Sequence, residues 1–104
     1  MTLDRPTPHT VLRRYVAECV LPPAEALDAL AALLPDASRY PGLLVVQGGW
    51  WYRAEYRVVP DGARSRIEHT LLNVASPAHW AGPITGRAAI RDAEREFGEL
   101  VGRL

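Results

Sequence analysis

The run WWYRAEYRVVPDGARSRIEHTLLNV, residues 50–74, reads as two strands joined by a turn. From Trp50 to Val59 the residue types alternate: Trp50, Tyr52, Ala54, Tyr56 and Val58 fall on one side of a pleated strand. Trp51, Arg53, Glu55, Arg57 and Val59 fall on the other, more polar side, as the strand's period of two requires. Pro60-Asp61-Gly62 reads as the turn, because proline presets φ and glycine accepts a positive one. The return strand, about Arg64–Val74, sets Ile67, His69 and Leu71 against Arg66, Glu68 and Thr70. Two registers are open. A four-residue loop at 60–63 pairs Tyr56 with Ile67 but sets Arg57 opposite Arg66 and Glu55 opposite Glu68. Shifting by two residues sets Arg57 opposite Glu68, the better arrangement electrostatically. Either way Tyr52, Tyr56, Ile67, His69 and Leu71 share the apolar face.

On the N-terminal side, Leu43–Gln47 is a short apolar strand that Gly48-Gly49 breaks or bulges. The segment 35–42 reads as a loop with room for a turn of helix. A helix is expected from Pro23, which suits the first helical position, to Pro35. Its stripe is Leu27, Leu30, Ala31 and Leu34, with Glu25 and Asp28 near the positive end of the dipole. Residues 11–21, VLRRYVAECVL, carry the valines of a strand, while Leu12, Tyr15, Val16, Cys19 and Val20 also match helical spacing. The Pro22-Pro23 pair that follows decides for strand. On the C-terminal side, residues 76–84 are an irregular connection. Thr85 can cap a final helix over about 86–104, with Ile90, Ala93, Phe97, Val101 and Leu104 in its stripe and Leu100 beside it. Gly98 and Gly102 either let this helix approach the sheet closely or mark a frayed end.

The fold class is therefore α+β: four strands, counted as an antiparallel meander with the 11–21 strand, packed against a long C-terminal helix. A Pro-led helix follows the first strand. Residues 1–10 read as a flexible tail and 11–104 as a single domain, which suits a 104-residue chain. Twelve arginines balance twelve acidic residues, so the formal charge is zero, and the basic excess of a nucleic-acid module is missing. Lysine does not occur, which reads as codon bias, since the arginines show no common spacing. One cysteine, Cys19, cannot build a disulfide framework within the chain. MTLDRPTPHT has no apolar signal core, and no apolar run approaches the roughly 20 residues of a membrane span. A cytoplasmic protein that contacts neither nucleic acid nor membrane is expected.

Three stretches carry a family resemblance. YVAECVLPPAEALDALAALL is similar to the first strand, proline and first helix of the START-like (SRPBCC, helix-grip, polyketide cyclase-like) superfamily. YRAEYRVVPDGARSRIEHTL is similar to its late hairpin, and GRAAIRDAEREFGELVGRL looks like its closing helix. These are patterns of residue type rather than invariant motifs, and they span most of 11–104. Members are commonly longer, with six or seven strands, so this chain resembles a shortened version. The resemblance implies a curved sheet gripping the last helix, often around a cavity for an apolar small molecule. It also implies aromatase- or cyclase-like catalysts as an enzymatic variant, with no universal catalytic residues to carry over.

Candidate chemistry is sparse. His9, His69 and His79 match no metal-ligand spacing. Gly48-Gly49 opens no helix and is no phosphate loop, so no metal or other cofactor is implied. His69, mid-strand between Ile67 and Leu71, reads either as a ligand's polar anchor or as a neutral core imidazole bonded to Tyr52, Tyr56 or backbone. Cys19 could pair with it as a nucleophile, but a small buried hydrophobe fits its strand better. Trp50, Trp51, Tyr52 and Tyr56 are half of the eight aromatic residues. Trp51, on the polar side, is a candidate to stack on an arginine or to mark a contact surface. The acidic and basic residues of 87–99 read as a solvated helix face with i,i+4 pairs.

Two functions follow as expectations. The first is a non-enzymatic binder of a small apolar or aromatic ligand, with no catalytic constellation. Tyr15, Trp50, Tyr52, Tyr56, His69, Leu71 and Phe97 would line its pocket between sheet and last helix. The second is an interaction module without a cavity, most simply a homodimer through an exposed sheet edge or through Trp51 and Trp80.

Overall fold

The alternation of residues 50–74 becomes a hairpin in the computed structural model of the chain, which describes residues 5–6, 9–48, 51–75 and 86–104. Its strands are Tyr52–Asp61 and Arg64–Asn73. In chain order the elements are β1 (Thr10–Cys19), α1 (Pro23–Leu33), β2 (Ser38–Tyr40), β3 (Leu43–Gly48), β4 (Tyr52–Asp61), β5 (Arg64–Asn73) and α2 (Arg87–Val101). The class is α+β: one five-stranded sheet, order β1-β5-β4-β3-β2, antiparallel throughout. Trp50, His79, Trp80, Thr85, Gly49 and the 76–84 connection lie outside the described residues.

The hairpin takes the electrostatically favoured register, with Arg57 opposite Glu68, Tyr56 opposite His69 and Ala54 opposite Leu71. The turn is tighter than the proline implied. Pro60 and Asp61 belong to β4, opposite Ser65 and Arg64, and Gly62-Ala63 makes a two-residue loop. Gly62 takes φ +61° at the first loop position, which tight hairpins of this length give to glycine. Proline is tolerated at 60 because the β3 ladder has already ended at Arg57, so no bond is lost on that side.

A fifth strand replaces part of the expected 35–42 loop. β2 pairs Ser38–Tyr40 with Val45–Leu43 across Pro41-Gly42, and Gly42 has φ +68°. Proline followed by a glycine with positive φ is the sequence of a type II turn. All three β2 residues are exposed, so no alternation announced them. Residues 11–21 are strand, as the following prolines require. β1 pairs with β5 through Tyr15 and His69, with a bulge at Leu12.

Both helices lie on one face of the sheet, α1 against β3, β4 and β5 and α2 against β1. Proline stands in the first turn of α1, Glu25 adds an acid there, and Ala26, Leu27 and Leu30 are buried. Between helices and sheet, these residues pack with Cys19, Leu44, Ala54, Tyr56, Val58, Ile67 and Phe97 in the core. In α2 the stripe buries Ala93 and Phe97 and half-buries Ile90, Leu100 and Val101.

Two local expectations do not hold, close approach of the sheet at Gly98 and Gly102 and an arginine stacked on Trp51. Gly98 and Gly102 are exposed, and a Cβ on Gly98 would meet nothing within 4 Å, so neither serves close approach to the sheet. Gly86, the residue before α2, is the close contact: a Cβ there would fall 2.0 Å from the Trp51 indole. Trp51 itself precedes β4 and makes no arginine contact among the described residues. Its ring meets Tyr52 edge-on at 5.4 Å, and its carbonyl accepts the Val74 N–H at 2.8 Å.

Candidate functional site

A half-open cleft of about 280 Å³ lies where the C-terminal end of α1 and the length of α2 meet the sheet. Its floor is Tyr52 and Tyr56 from β4 and His69 from β5; Leu33 and Leu34 close one side. α2 supplies Ala93, Phe97 and Leu100 to the wall, with Glu96, Glu99 and the following Arg103 also lining it. The floor residues meet because β4 and β5 alternate in phase: Tyr56 and His69 are directly opposed.

His69 is packed among three aromatic rings. Its ring stacks on Tyr56 at 4.4 Å, lies 6.0 Å from Tyr15 and 5.2 Å from Phe97. The main-chain carbonyl of Glu55 lies 3.3 Å from Nδ1, so that nitrogen carries the proton of a neutral imidazole and donates it. This is the backbone bond expected of a core histidine. Burial lowers the pKa of the ring below the ordinary histidine value, more than the carbonyl bond raises it. Nε2, left without a proton, is an acceptor with no partner among the described residues.

Burial also raises the pKa of both tyrosines, and Glu96 adds to the effect in each. Both are therefore neutral phenols at physiological pH, each an O–H donor. Neither hydroxyl has a hydrogen-bond partner among the described residues. The cleft thus offers two phenol donors and one imidazole acceptor within apolar walls, with charge confined to Glu96, Glu99 and Arg103 from α2 and its end.

Of the residues singled out in the sequence, Tyr52, Tyr56, His69 and Phe97 come together here. Tyr15 stacks behind His69 and Phe97 without lining the cleft. Leu71 is buried opposite Ala54 and Arg13, away from it. Cys19 is buried in the core opposite Ser65, with Tyr15 rather than Cys19 opposite His69. Four residues of strand, roughly 13 Å, separate the two pairings, so cysteine and imidazole form no nucleophile pair. Leu33 and Arg103 carry no signal of their own in the sequence, Leu34 reads there only as part of the α1 stripe, and Glu96 only as part of a solvated helix face.

The opposite face of the sheet is less solvated than its residue types imply. Arg53 and Glu55 are only 6% and 5% exposed, and Leu43, Val45 and Leu72 on the same face are buried. Arg53 Nε donates to Glu55 at 3.0 Å, and its Nη1 donates to Gln47 at 3.0 Å. Arg5 reaches in to donate to the same carboxylate at 2.9 Å. Burial alone would raise the Glu55 pKa, but the bonds from Arg5 and Arg53 outweigh it and hold the carboxyl below its usual value.

No group of three His, Cys, Asp or Glu side chains able to hold a metal occurs among the described residues. No described helix is long and apolar enough to cross a membrane. Comparison with known proteins finds no matching family model, no matching curated protein and no matching solved structure.

Proposed function

We propose that the cleft receives one small neutral molecule, aromatic or apolar with a single polar end, and that the chain is a shortened domain of the START-like, helix-grip kind. The observation that carries this reading is the pairing of an apolar cleft with three polar atoms that the protein leaves unused: the Tyr52 and Tyr56 hydroxyls and His69 Nε2. All three atoms open onto the cleft, since among the described residues the buried side-chain N and O atoms without a partner comprise Arg53 Nη2 alone, and they are therefore presented to whatever enters it. The volume, about 280 Å³, stands just below the range of ligand pockets, which begins near 300 Å³, so the ligand is no larger than one or two rings. The long C-terminal helix lying over the same sheet face agrees with the family resemblance. Glu96 and Glu99 beside the cleft disfavour an anion.

Native mass spectrometry of freshly purified protein tests retention of a ligand, and an NMR titration with 2-naphthol tests the site. The expected result is a saturable shift of resonances from Tyr52, Tyr56, His69 and Phe97. His69→Leu should weaken it by about 5- to 100-fold, the worth of one hydrogen bond to a buried group. A protein that carries no adduct and shows no cleft shifts with millimolar 2-naphthol refutes the reading.

A further inference from the structure

The sheet ends in two unlike edges. β2 is three residues long, whereas β1 (Thr10–Cys19) is ten and stands last in the strand order among the described residues, where Arg13–Cys19 forms its edge past the bulge. Among the described residues, three of the four large exposed hydrophobic ones lie on β1 or just after it: Val11 at 42%, Val16 at 57% and Val20 at 69% exposure. A long open edge carrying apolar residues is a template for another strand.

We propose that β1 pairs antiparallel with β1 of a second copy, about a two-fold axis through Val16, joining the two sheets into one. The residue pattern selects both the partner and the register. Arg14, Val16 and Glu18 share the face turned away from the helices, opposite Thr70, Glu68 and Arg66 of β5. A two-fold axis normal to the sheet keeps that face continuous, so it pairs only residues of like parity. Centred on Val16, the pairing sets valine against valine, Arg14 against Glu18 of the second copy, and Glu18 against its Arg14. Centred on Arg14 or on Glu18, it sets like charges opposite each other. Centred on Tyr15 or Ala17, it sets Arg14 or Glu18 against Val16 and matches no charges. The bulge at Leu12 lies outside the Arg13–Cys19 stretch that the Val16-centred register uses.

The charges are free for this use. Neither Arg14 nor Glu18 makes an ion pair among the described residues, and Arg66, opposite Glu18 within one copy, is engaged with Glu68 at 3.2 Å. The interface is remote from the cleft and does not rest on the ligand reading.

Sedimentation equilibrium of the full chain, from micromolar to submillimolar concentration, should give twice the 11.5 kDa of one copy. Val16→Lys should give a monomer with the wild-type unfolding transition. Arg14→Glu and Glu18→Arg should each weaken the dimer by at least about tenfold, since each turns two attractions into two repulsions. The double variant, Arg14→Glu with Glu18→Arg, should restore most of the loss. Hydrogen exchange at β1 amides should quicken on dilution. A wild type that stays monomeric overturns the proposal. So does a dimer indifferent to all three single changes, which would use another surface such as that of Trp51, or a charge swap that fails to restore pairing. If Val16→Lys does not fold, the charge series alone decides.

Discussion

Replacing Phe97 by alanine removes the ring that α2 drives into the sheet. Phe97 is 5% exposed and lies 5.2 Å from His69, 6.3 Å from Tyr15 and 6.5 Å from Tyr56 by ring centre. Burying a phenyl side chain contributes about 1.5–3 kcal/mol by transfer alone, and the void left behind brings typical Phe→Ala losses to about 3–5 kcal/mol. Here the new space joins an existing half-open cleft, so water enters and the cavity term shrinks. The loss should therefore sit at the low end, about 3 kcal/mol. For a domain of this size, that corresponds to a melting temperature lower by roughly 12–24 °C. Urea denaturation followed by circular dichroism, with the slope unchanged between wild type and variant, gives the number. A loss under about 1 kcal/mol would mean that α2 is not anchored by this ring, and the cleft as described would lose its wall.

Gly98→Ala, on the exposed side of α2 with open space around it, should stabilise the protein by about 1 kcal/mol in the same assay. Gly86→Ala should instead cost about 1–3 kcal/mol, because its Cβ would overlap the Trp51 indole; equal effects at the two glycines would refute the packing of Trp51 on the start of α2. His69 has a folded pKa below its unfolded one, so its contribution is complete above about pH 6.5 and declines as pH falls from there towards the folded value. An NMR titration should place its midpoint below about 6.5, and a midpoint at or above that value would contradict its burial. Glu55 also has a lowered pKa, so its stabilisation is present above the ordinary glutamate value and fades as pH falls through the folded one. Glu55→Gln should cost about 3 kcal/mol at neutral pH by stranding the buried Arg53, measured by thermal melting, and a loss near zero would mean the pair is solvated.

The elements with strong periodicity were legible. The 50–74 alternation gave the hairpin, its faces and, through Arg57 and Glu68, its register; the stripe of 90–101 gave α2 and Phe97. Together these two patterns contain six of the cleft residues, Tyr52, Tyr56, His69, Ala93, Phe97 and Leu100, because a strand face and a helix stripe each point at the core without knowledge of the rest. What escaped depends on how elements meet. Ser38–Tyr40 is a strand only because Pro41-Gly42 folds it onto β3, and its three exposed residues leave no apolar trace. Arg53 and Glu55 look like the wet side of an amphipathic strand, and are buried in an ion-pair cluster that Arg5 completes from 50 residues away. Leu33 and Leu34 line the cleft because α1 ends over β4, a matter of helix placement rather than of residue type. The indole of Trp51 meets Gly86 and Tyr52, a contact set by where α2 begins, which no pattern within the strand announces.

The order of strands in space differs from their order of synthesis. β2 through β5 are neighbours in both, so each pairing can form as soon as its hairpin exists. β1 is made first, yet its partner among the described residues is β5, and even the nearest pair, Cys19 with Ser65, must await the helix and three strands between them. At a ribosome adding about 5–20 residues each second, that is a wait of roughly 2–9 s. Closing so long a loop makes β1 docking the slow, non-local step of folding. Until it docks, the inner edge of β5 stands bare, and a β1 from another nascent chain fits it as well as the chain's own. Exchange of this strand between copies is accordingly the characteristic misassembly of this topology, and it grows with the local density of chains on a polysome.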